Sequence, residues 1–225
     1  MPTIDLDPAA FDAPLGSPSR PSWRGRVHLI ALWVALPLLV ALTIASDDAR
    51  SRAAVIVYGV GLSAMLAVST IYHRWVHTIR SRAAWRRADH ATIFAAIAGT
   101  STALTLTSLS TGPAIAMLIV VWLAAIAGAA FKVFGFDRAN RLGGVMYIAL
   151  GWSGLVLVPA VWQRGGTTAV ALLLGGGVLY TVGALAFARQ WPTLRPARFS
   201  YHEVWHVFTI AAAASHFGAV LTLAT

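Results

Sequence analysis

HEVWHVFTIAAAASHFGAVLTLA, residues 202–224, opens on the pattern H-E-x-x-H and then runs on as an almost wholly apolar segment. In soluble metalloproteases that pentapeptide sets two histidines one helical turn apart around a metal, with the glutamate activating water. Here the apolar continuation is long enough to cross about 30 Å of hydrocarbon as a helix. The pentapeptide therefore begins a transmembrane helix, and its reading depends on what else reaches the same depth.

The rest of the chain has the same character. Of 225 residues 58% are hydrophobic and only 11% are charged, whereas soluble domains carry roughly a quarter charged residues. Seven apolar runs are long enough to span: about 27–46, 53–73, 89–109, 112–134, 142–162, 167–188 and 202–223. Turn signals such as STGP (110–113), RGG (164–166) and WPTLRP (191–196) separate some of them. The expected fold is an all-α integral membrane bundle of seven transmembrane helices over 27–223. Residues 1–26, rich in proline and without an apolar core, are read as a short mobile cytoplasmic tail.

The net charge of +9 does not point to nucleic acid, because the basic residues sit in short gaps between apolar runs and form no continuous patch. Sorted by loop, fourteen lie on the side of the N-terminus and three on the other. The positive-inside rule then puts the N-terminus in the cytoplasm and the C-terminus outside. Without cysteine, a transition-metal site has to be built from His, Asp and Glu.

Ionisable groups at membrane depth are functional suspects. In this topology His73 ends the second span, Asp89 opens the third, and His202 and His206 open the seventh, all at the cytoplasmic end. His202 and His206 share one helix face; Ser69 lies one turn from His73 and is placed to hydrogen-bond a ligand. Three neutral imidazoles with an open fourth position form the arrangement of a catalytic zinc site, and Asp89 is placed to handle its water. The competing reading is that these histidines merely bond headgroups or loop carbonyls at the interface. His28 and His77 are read in that way, His90 as facing away from Asp89, and His216 as facing the bundle deep in the last span.

STIYHR (69–74), ADHATIFAAIAGT (88–100) and HEVWHVFTIAAAASHF (202–217) resemble, in this order, the motifs of the bacterial hemolysin III family. That family is grouped with the progestin and adipoQ receptors and, more distantly, with the alkaline ceramidases. The resemblance implies a seven-helix bundle holding Zn²⁺ near the cytoplasmic face through His73, His202 and His206, with Asp89 beside the metal-bound water and Ser69 nearby. It also implies that Glu203 is not the water-activating group. The expected function is zinc-dependent hydrolysis of a membrane lipid or other acyl-chain substrate in the cell membrane. The alternative is a non-enzymatic sensor or cytolytic protein with structural zinc.

Overall fold

A backbone in lipid must satisfy its hydrogen bonds internally, and a single apolar run does this only as a helix. In the computed structural model, which describes residues 15–134 and 140–225, the chain is helical and has no strand among those residues beyond two isolated bridges. The helices are α1 (Arg26–Ala45), α2 (Ala49–Arg74), α3 (Ile79–Ser108), α4 (Thr111–Phe134), α5 (Asn140–Trp152), α6 (Val158–Ala188) and α7 (Tyr201–Ala224). A 3₁₀ turn, Ser153–Leu157, joins α5 to α6. Arg138, counted in the loop charges, lies outside the described residues.

Consecutive helices are neighbours, and α7 returns to α1 to close a ring. α3 also touches α5, α6 and α7, so it runs through the middle. It is at once the most buried candidate span and the one of lowest hydropathy. The two facts belong together, because a helix screened from lipid by its neighbours can carry polar side chains. Thr100, Thr102 and Thr107 return their hydroxyls to carbonyls four residues back at 2.7–2.8 Å, which removes their need for water. α2 packs directly on this helix. A Cβ at Gly61 would stand 2.6 Å from the Ala95 carbonyl oxygen, so the two backbones meet as small residues permit.

The outer helices are apolar on the outside. Trp33 is 69% exposed, Ile44 74% and Val156 73%, a surface suited to acyl chains and not to water. Six helical stretches are long and apolar enough to cross a membrane. Seven separate runs are expected from sequence, and the difference lies in one stretch of 47 residues, Leu142–Ala188. As one straight helix it would measure roughly 70 Å. It breaks at Gly166, whose φ of 63° and ψ of −161° are not helical. Beyond the break the chain comes back: Trp152 Nε1 donates to Thr181 Oγ1 at 3.0 Å across 29 residues. The fifth and sixth runs thus lie side by side without a loop of their own.

α3 begins ten residues before the expected start of the third span. Its first turns, IRSRAAWRRA (79–88), are basic and invisible to hydropathy, yet Thr78 caps them through Ser81 N. Asp89 is accordingly inside a helix and not at its beginning.

At one end of the bundle Asp47 N donates to the Ala224 carbonyl at 3.0 Å. At the other, Gly25 lies against His73 and Arg74. The start of α1 and the end of α7 are therefore at opposite ends.

Candidate metal centre

Two helix termini supply the centre. α2 ends with His73, and α7 starts with His202 and His206 one turn apart. The start of α7 is fixed by a capping box between Ser200 and Glu203. Ser200 N and Oγ donate to Glu203 Oε2 at 2.8 and 2.9 Å, and Arg24 Nε donates to Oε1 at 2.6 Å. Both carboxylate oxygens are engaged in holding the helix, so this H-E-x-x-H uses its glutamate as a cap.

The three histidines meet. His73 Nε2 and His202 Nε2 are 3.3 Å apart. One nitrogen from each of His73, His202 and His206 lies within 4.8 Å of the others, and all three side chains are buried. Their ring planes are inclined at 79°, 60° and 64° to one another, so none of the three stacks on another. Imidazole donors suit zinc, copper, iron or nickel. The buried His206 Nδ1 has no hydrogen-bond partner among the described residues, a debt that a bound ligand or water settles. The residues present fit a divalent transition-metal ion.

Asp89 reaches the cluster from α3, with Oδ2 3.9 Å from His73 Nε2. His90 is not turned fully away: its Nδ1 is 3.9 Å from the same Oδ2 and 2.8 Å from the Arg86 carbonyl. Ser69 is buried one turn from His73. His77 lies outside the cluster, with Nδ1 2.8 Å from Arg20 Nη1. His216 faces the bundle, 3.1 Å from the Leu173 carbonyl.

His28 differs from expectation. It is buried, and its ring stacks on that of His206 with centroids 3.9 Å apart and planes at 3°. A signal for this was present, since the first span starts at the same end of the bundle as the other site residues.

Of the residues read as a mobile tail, 1–14 lie outside the described residues, and 15–25 make hydrogen bonds to this end of the bundle. Arg20 Nη2 donates to the His73 and Arg74 carbonyls, both at 3.3 Å. Ser22 N and Trp23 N donate to the carbonyls of Ala197 and Arg198, both at 3.1 Å. Arg24 completes the link through Glu203, whose side chain is 1% exposed. Removing one partner of a buried pair strands the other charge. Arg24→Ala is therefore expected to destabilise the bundle by about 3–5 kcal/mol, and pairing it with Glu203→Gln to recover much of the loss, both read from thermal unfolding in detergent.

Two open hollows, of about 290 and 570 Å³, lie at the far end of the bundle around Asp48, Arg50 and Arg164, and around Asp47, Gln163 and Thr225. Neither includes a residue of the histidine cluster.

The family described as Haemolysin-III related matches residues 17–217. The chain is 32% identical over 197 residues to "Hemolysin-3" of Bacillus cereus, covering 86% of this chain and 87% of the relative. It is 28% identical over the same length to "Hemolysin-3 homolog" of Bacillus subtilis (strain 168), covering 86% and 89%. Over 180 residues it is 28% identical to the human "Monocyte to macrophage differentiation factor", covering 78% and 72%. The match takes in both helix termini that carry the three histidines and the apolar helices that hold them, so this multi-pass integral membrane protein belongs to the haemolysin-III-related family.

Proposed function

We propose that this protein is a seven-span membrane hydrolase that holds zinc at His73, His202 and His206 and cleaves a lipid from the cytoplasmic side. An amide lipid of the ceramide class is the substrate suggested by the family resemblance. Seven crossings are supported by the break at Gly166 with its Trp152–Thr181 bond, and by helix ends at opposite ends of the bundle, which need an odd number. The excess of basic residues on the N-terminal side supports a cytoplasmic N-terminus and an external C-terminus.

One observation carries the chemical reading: three buried imidazoles converge with a carboxylate 3.9 Å from one of them. Zinc, when bound, polarises a scissile carbonyl and brings the pKa of water toward 7. Asp89 accepts the proton of the attacking water at its carboxylate and returns it to the leaving amine nitrogen. Ser69, buried one turn from His73, is placed to donate a hydrogen bond to a ligand bound there. Glu203 has no part in the proton transfer, because Ser200 and Arg24 occupy both of its oxygens.

The test is release of free fatty acid, read by mass spectrometry, from purified protein of known metal content given a panel of N-acyl lipids in mixed micelles. The expected result is turnover that falls on chelation and returns with zinc. Stoichiometric zinc without turnover of any lipid would favour the non-enzymatic reading, with structural zinc in a sensor or cytolytic protein.

A further inference from the structure

His28 comes from α1, an element with no part in the chemistry above. Gly25, at the N-cap of α1 with φ 74°, lets the helix start against His73, whose Cβ would be 3.0 Å from a Cβ placed there. This brings His28 to the cluster, 3% exposed and stacked on His206. Neither Nδ1 nor Nε2 of His28 has a hydrogen-bond partner among the described residues. Buried polar atoms are nearly always paired. A residue that only packed against His206 would do so better as phenylalanine or leucine, with no nitrogen to leave unsatisfied.

The stack also decides against a fourth metal ligand in this arrangement. An imidazole nitrogen binds a metal in the plane of its own ring, and two separate parallel planes share no point. The nitrogens of His28 are thus left for something that binds beside the ligand rings.

We infer that His28 is a ligand-contacting residue of this centre, its ring N–H donating a hydrogen bond to an anionic ligand bound beside His206. This rests on the metal centre proposed above. Its chemistry is that of a donor to a negatively charged acceptor, the kind of bond that contributes most when buried.

Cobalt(II) in place of zinc, with azide as the anion, tests it without any need for turnover. The wild-type protein is expected to load cobalt with a visible absorption band that azide titrates. His28→Phe keeps the flat ring on His206 and deletes both nitrogens. It is expected to load cobalt equally and to bind azide at least about tenfold more weakly. His28→Leu is the second variant, in case the first does not fold. Unchanged azide affinity in a cobalt-loaded variant overturns the role of His28 and leaves the metal centre standing. A wild-type protein that takes up no cobalt overturns the centre, and this inference with it. A cobalt band that azide never perturbs overturns the inference alone. Loss of cobalt from both variants with helix content intact also overturns it, by making His28 a metal ligand.

Discussion

His206→Ala is expected to strip the purified protein of bound metal while leaving a folded bundle. Alanine is the best helix former, and position 206 lies in the second turn of α7, where Glu203 and Ser200 already hold the helix end. What disappears is one of the three imidazole nitrogens, from His73, His202 and His206, that lie within 4.8 Å of one another. Loss of an outer partner of a metal ligand weakens binding by about 10–100-fold, and loss of a ligand itself is expected to exceed that. Metal analysis after gel filtration in detergent measures it. His216→Ala is the matched control. It is on the same helix but roughly 15 Å further along, bonded to the Leu173 carbonyl, and is expected to keep its metal. Equal metal content in His206→Ala and wild type would sink the site.

Asp89→Asn is expected to keep the metal and to lose about 10²–10⁴-fold in lipid turnover, the usual contribution of a positioned general base. The substitution preserves shape and removes only the negative charge and the ability to take a proton. At 3.9 Å from His73 Nε2, the carboxylate is close enough to act on whatever is bound there. Undiminished turnover would remove Asp89 from the mechanism. Loss of metal together with turnover would make it an orienting partner of His73.

The large features of the fold can be read from the sequence because hydropathy reports contact with lipid directly. The runs 27–46 and 112–134 fall almost on α1 (Arg26–Ala45) and α4 (Thr111–Phe134), both of which expose broad apolar faces. Hydropathy fails where a helix is screened or leaves the membrane. The basic first turns of α3 are missed for that reason, whereas the RGG signal (164–166) falls on the break at Gly166, where a backbone turn stands in place of a polar loop. The site followed similar limits. Topology places His73, Asp89, His202 and His206 at one end, and the structure brings them within a few ångströms. An isolated histidine at a span end has no partner spacing along its own helix, so His28 reads as interfacial from sequence. Its contact with His206 spans 178 positions of sequence and arises only when α7 returns to α1. The docking of residues 15–25 was equally hidden, since their proline-rich composition says nothing about a surface that fits them.

Arg20 and Arg24 join the end of α2 to the start of α7 using protein groups alone. The two histidine-bearing termini are thus tied together by protein groups, and the conformational entropy of bringing them together is lost during folding. Small zinc domains, by contrast, are unfolded without their metal, so their affinity for it includes the free energy of folding. An ion bound at the histidine cluster of this bundle would enter a finished enclosure, and its affinity would reflect the donor atoms and their surroundings, largely independent of the stability of the chain.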